Sequence, residues 1–230
     1  MSSAVKLIAS TGMNAVLQEL LPIYEAQTGN SIILSCNSSN LIMERLDSGE
    51  TADVILLTRD ALEALAEREI VMTNSLVNLA KSGVGIIVKA GAEHPDIASV
   101  STFRQTLELT RSIAHTTAGA SGIYFTELVQ RLGIRQMVRA KSITQPSGRI
   151  AGLVASGKAA IGIQLESELI GMPGVEYVGP LPRALQMEIV FAVGIFSQST
   201  KIECSADLIH FLCRPKYAAF YSKNGMHFVG

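Results

Sequence analysis

Four junctions in this chain are built almost wholly from small polar residues: Ala9-Ser10-Thr11, Asn37-Ser38-Ser39-Asn40, the stretch HTTAGASG at 115–122 and the stretch QPSGR at 145–149. Each leads into a helical pattern. A helix N-terminus presents backbone N–H groups without intrahelical acceptors and carries the positive end of the helix dipole, so hydroxyls placed there add neutral donors to an anion site. A single Ser or Thr before a helix reads as an ordinary N-cap. Four such starts, Ser10, Thr11, Ser38 and Ser39 among them, point instead to convergence on one small anion, held without a net basic charge.

Charged groups stand close to these junctions. Arg149 falls just inside a predicted helix start, where the dipole disfavours a cation unless an anion is near, and its planar fork suits a carboxylate. His115 ends a predicted strand and reads either as a backbone-satisfied histidine or as a pocket group. Glu166 and Glu168 read as acids on a solvated helix start, and Asp53 as a residue that caps or pins a strand end.

The elements that must position these residues alternate. VKLIAS, SIILSCN and ADVILLT read as strands, with helices predicted over 12–28, 40–48 and 59–68. In the first helix Met13, Val16, Leu17, Leu20, Leu21 and Tyr24 repeat at helical spacing, Gly29 is placed to end it and Pro22 is expected to bend it. Such alternation predicts β-α units on largely parallel sheets, an α/β fold. Two long apolar runs, 83–89 and 188–196, read as crossings between two lobes, with 205–214 and 215–224 returning as helices to the first. The expected lobes are 1–81 with 196–230, and 82–195.

The rest of the composition excludes more than it assigns. A net charge of -1 with scattered Lys and Arg gives no basic stripe, so no nucleic acid partner is expected. The three cysteines, Cys36, Cys204 and Cys213, have no metal-ligand spacing and read as buried thiols outside any disulfide; neither metal nor cofactor is expected. Phosphate-binding glycine fingerprints, the nucleophile elbow and the HExxH motif do not occur. No apolar run is long enough to span a membrane, so no membrane insertion is expected, and the chain starts without a leader pattern. That start fits a periplasmic protein whose signal peptide was removed, or else a cytoplasmic one. A monomer is expected.

The order of these pieces resembles a known family. VKLIASTGMNAVLQELLPIYEAQTGNSIILSCNSSNLIMERLDSGETADVILLT is similar to the N-terminal signature of molybdate-binding proteins, the periplasmic solute-binding components of ABC importers. GASGIYFTELVQRLG, GRIAGLVASGKAAIGI and PKYAAFYSKNGM are similar to its later segments, so the resemblance covers nearly the whole chain. It implies a type II periplasmic-binding-protein fold, two α/β lobes closing by hinge motion on a ligand cleft. It also implies a small anionic ligand and an ABC transporter permease as partner. The ligand positions it implies fall on Ser10 beside Thr11, Ser38 beside Ser39, Ser121, and Gly148 next to Arg149. The family's tyrosine donor position is occupied by Leu165.

Two functions follow as expectations. The first is a solute-binding protein that captures a molybdate-like oxyanion or a small carboxylate for an ABC importer. The second is a tricarboxylate isomerase like aconitate isomerase, which also resembles molybdate-binding proteins; His115 or Glu166 would then move a proton alpha to a carboxylate while the hydroxyls and Arg149 hold the substrate. A LysR-type effector domain shares the fold but requires a preceding helix-turn-helix; the sequence begins directly with the first strand, so that function is not the one expected.

Overall fold

The computed structural model describes residues 4–230; residues 1–3, which open the expected first lobe, lie outside the described residues. In chain order the elements begin β1 (Ala4–Ser10), α1 (Asn14–Thr28), β2 (Ser31–Asn37), α2 (Ser39–Asp47), β3 (Val54–Thr58), α3 (Arg59–Glu67), β4 (Val77–Ser82) and β5 (Val84–Lys89). There follow α4 (Val100–Leu109), β6 (Ile113–Thr116), α5 (Ala120–Arg131), α6 (Arg135–Ala140), β7 (Ser142–Gln145), α7 (Ala151–Ala155), β8 (Ile161–Leu165) and α8 (Glu166–Leu169). The chain closes with β9 (Val175–Pro180), β10 (Ile189–Ile195), α9 (Ile202–Leu212), α10 (Ala218–Lys223) and β11 (His227–Phe228). None of the described helices is long and apolar enough to cross a membrane.

Two compact units result. One holds the chain up to Lys81 together with Ile189–Gly230; the other is the continuous stretch Ser82–Glu188. The first contains a six-stranded sheet in the order β11-β4-β10-β3-β1-β2, with β1 parallel to both β2 and β3. The second contains a five-stranded sheet in the order β7-β6-β8-β5-β9, with β6 parallel to β7 and β8.

The apolar runs expected as crossings are strands inside these sheets. The run 83–89 supplies β5, paired antiparallel with β8 and β9. The run 188–196 supplies β10, whose ladder with β3 pairs Phe191 with Thr58 through Ile195 with Val54, and this places it with the first unit rather than with 82–195. Both are nearly fully buried, as strands packed on two faces must be, and their uninterrupted hydropathy hid their partners.

In the first helix the expected apolar stripe is the buried one, Val16, Leu17, Leu20, Leu21 and Tyr24, and α1 runs unbroken through Pro22 to end at Gly29. In the first unit Ile8, Ile42, Ile55, Leu57, Leu62, Leu65 and Ala192 form one core. In the second, Ile87, Ala114, Ile150, Ala151, Val154, Ala159 and Leu169 form another. No disulfide joins Cys36, Cys204 and Cys213, and all three are half-buried rather than buried. Asp53 pins the start of β3: its carboxylate accepts from the Lys6 amide at 2.8 Å, the Ser199 hydroxyl at 2.7 Å and the Lys201 ammonium at 3.0 Å. Burial would raise its pKa, but these hydrogen bonds together hold it below the ordinary value.

Candidate functional site

In the first unit, β1 and β2 run parallel and end in register, Ser10 opposite Asn37. Their following helices therefore start side by side. Ser10 has extended backbone, is buried, and makes no side-chain capping bond. Ser38 has the same extended geometry before α2, is 7% exposed, and its hydroxyl is buried without a hydrogen-bond partner. Neither side chain caps its helix, so the ordinary N-cap reading of a single serine applies to neither. The amides of the first turn of α2 consequently keep their free donors, and Thr11 and Ser39 lie half-buried beside them. Thr58 opens α3 in the same uncapped way. Sequence reasoning missed it, although a Thr at the junction of strand and helix is the same signal.

In the second unit the ends of β6, β7 and β8 lie together, with Thr116 opposite Gln145. The loops beyond them are tied by the Thr117 amide to the Gln145 carbonyl (3.0 Å) and the Ala118 amide to the Pro146 carbonyl (2.8 Å). These bonds bring the start of α5, with the buried Ser121, beside the turn that holds Gly148 and Arg149. Thr116 is 2% exposed and its hydroxyl is also without a partner. It sits under the start of α5, where a Cβ on Gly122 would stand 1.9 Å from the Thr116 carbonyl oxygen, so only glycine lets helix and strand end approach this closely.

Gly148 takes the left-handed conformation, φ 86°. A side chain absent from the sequence-based site holds that turn: Gln164, 1% exposed, donates to the Gly148 carbonyl at 2.9 Å and accepts from the Ile150 amide at 3.1 Å. Its signal was present in the sequence as one amide inside the apolar strand IGIQL. Arg149 lies in the turn ahead of α7, not inside a helix, and α7 is only five residues long, so the donors here are turn amides more than a helix dipole. Among the described residues the Arg149 guanidinium makes no hydrogen bond or ion pair. Leu165, at the end of β8, is buried and offers no hydroxyl.

The acids depart from expectation, and the histidine takes its backbone-satisfied alternative. Glu168 is buried, not solvated: burial pushes its carboxyl up to about 7, against the opposing pull of Arg149 and of hydrogen bonds from Gln164 and the Leu165 backbone. Glu166 is half-buried and accepts from the Tyr177 hydroxyl at 2.7 Å; burial raises its pKa, that bond opposes the rise and the charge of Glu188 adds to it. His115 is buried with both ring nitrogens engaged, Nδ1 at 2.9 Å from the Thr116 carbonyl and Nε2 at 3.1 Å from the Ser142 hydroxyl, and burial lowers its pKa. A carbonyl only accepts, so Nδ1 carries the proton. Neither Glu166 nor His115 is thus a free base beside the hydroxyls; Glu168 is the acid whose charge is coupled to Arg149.

Two α/β units, each with its own sheet, make this the type II periplasmic-binding-protein fold, and solved structures carry the same one. A periplasmic molybdate-binding protein of Azotobacter vinelandii matches with a TM-score of 0.82 at 19% identity, covering 98% of this chain and 99% of its own. The sulfate-binding protein of Mycobacterium tuberculosis matches with a TM-score of 0.79 at 14% identity, covering 99% and 87%. The chain belongs to the bacterial extracellular solute-binding proteins, whose family model matches residues 5–227. It is also 30% identical to an aconitate isomerase of a Pseudomonas species, over 97% of this chain and 87% of that protein.

Proposed function

We propose that this protein captures a small anion on the hydroxyl-lined helix starts, works in the periplasm and delivers its ligand to the permease of an ABC importer. The observation that carries this reading is the Ser38 hydroxyl, buried and unpartnered at the start of α2. A buried hydroxyl without a partner costs on the order of 1 to 3 kcal/mol, a cost that an anionic acceptor would remove. In the same unit Ser10, Thr11 and Ser39 supply further neutral donors, and in the other unit Ser121 and the amides around Gly148 present donors of the same kind. Arg149, without an ion pair of its own, favours an organic anion with a carboxylate over a tetrahedral oxyanion, and Leu165 withholds one donor that an oxyanion would use.

Thermal-shift titration tests this directly, because a ligand that binds only the folded state raises its stability by mass action. Citrate and the aconitates should shift the midpoint more than molybdate, tungstate or sulfate, and Arg149→Ala should abolish most of that preference. Equal shifts across the panel, or a shift with molybdate alone, would return the assignment to a simple oxyanion binder.

A second reading, an isomerase of aconitate type, is favoured by the 30% identity over nearly the full chain and by Glu168. Moving a proton alpha to a carboxylate needs a base whose pKa lies near working pH, and Glu168 at about 7 fits that need better than His115 or Glu166. Incubation with cis-aconitate, followed by chromatographic detection of the trans isomer, separates the readings. Turnover that Glu168→Gln removes while tricarboxylate binding persists would make the protein an enzyme.

A further inference from the structure

The second unit contains a pocket of about 400 Å³ that includes none of Ser10, Thr11, Ser38, Ser39, Ser121, Gly148 and Arg149, although it meets the stretch 115–122 at His115 and Thr117. Its walls are Phe125 and Val129 of α5 and Val138 of α6, His115 lines it, and Arg135 and Arg139 stand at its rim. The two arginines are one helical turn apart on α6, so they share a face and repel each other. Arg135 donates to the Gln130 amide oxygen at 3.0 Å, and Arg139 makes no hydrogen bond or ion pair among the described residues. Among the described residues no carboxylate lines the pocket. Two like charges over an apolar, hydroxyl-bearing hollow, with no acid to balance them, are the arrangement that an amphipathic anion completes. The apolar walls remove hydrocarbon from water while the two forks pair with its charge.

We propose that this pocket is a second ligand site, taking a small organic monoanion with an apolar body, such as an aromatic carboxylate. The carboxylate meets Arg135 and Arg139; the ring lies against Phe125, Val129 and Val138. The volume is within the range of small-molecule sites, and the His115 ring, held edge-on to Phe125 with centroids 5.1 Å apart, reports on occupancy.

The probe is benzoate, titrated into the full chain while the imidazole resonances of the four histidines are followed by NMR. The expected result is a saturable shift confined to His115. The double variant Arg135→Gln, Arg139→Gln should weaken it by about tenfold or more, acetate should bind at least about tenfold more weakly than benzoate, and Ser38→Ala should leave it unchanged. Both arginines are exposed, so the variant is expected to fold. The proposal is overturned by no saturation below about 10 mM, by an unchanged affinity in the double variant, or by loss of the shift in Ser38→Ala, which would place benzoate at the helix starts instead.

Discussion

Two helices of this protein begin with a serine in extended backbone, and they use it in opposite ways. Ser99, before α4, accepts from the Thr102 amide while the Thr102 hydroxyl accepts from the Ser99 amide, a complete capping box. Ser38, before α2, caps nothing and leaves its hydroxyl buried without a partner. The first serine spends its hydrogen bond on stability. The second keeps its own in reserve, and the difference marks where folding and binding make competing demands on the same residue type.

The comparison can be broken or sharpened at four places. The largest effect is expected at Glu168, another group held at a cost. Its folded pKa is raised above the ordinary carboxyl value. Below about pH 4.5 it is protonated in both states and costs nothing. As pH rises toward about 7 the unfolded state loses its proton first, so stability falls, and above 7 the penalty is complete at up to about 3 kcal/mol. Glu168→Gln should therefore flatten the pH dependence of urea unfolding between those limits and raise the midpoint at pH 8; an unchanged slope would mean the carboxyl is not held back by burial. Next, Ser38→Ala should weaken anion binding by roughly ten- to a hundredfold in calorimetric titration, with unfolding of the ligand-free protein unchanged or slightly harder. Ser99→Ala should do the reverse, costing about 1 kcal/mol of stability with ligand affinity intact. If both serines behave alike, the distinction between them fails. Smallest of all, Thr116→Val should leave ligand-free stability within about 0.5 kcal/mol, since the hydroxyl it removes has no partner to lose.

Much of the α/β pattern was legible because α1 keeps a helical period and β1, β2 and β3 are short apolar runs with polar or glycine boundaries. The hydroxyl-rich junctions were legible for the same reason. What Ser38 and Ser99 do with their hydroxyls was not, because both precede a helix and only the three-dimensional path of the chain decides whether an amide comes within reach. Glu168 misled by its type: acids at a helix start are ordinarily solvated, but α8 is a four-residue turn packed against β5 and β8. Gln164 was passed over because a lone amide in a buried strand announces a partner without naming it, and that partner, the Gly148 turn, lies sixteen residues away in sequence.

The place of β10 bears on how the protein is made. In the first sheet β10 lies between β3 and β4, yet the ribosome produces it only after the whole continuous stretch Ser82–Glu188. At ordinary synthesis rates of 5–20 residues per second, β3 and β4 wait on the order of ten seconds with open hydrogen-bonding edges. The later-made unit has all its strands first, and the earlier-made one is the last to close.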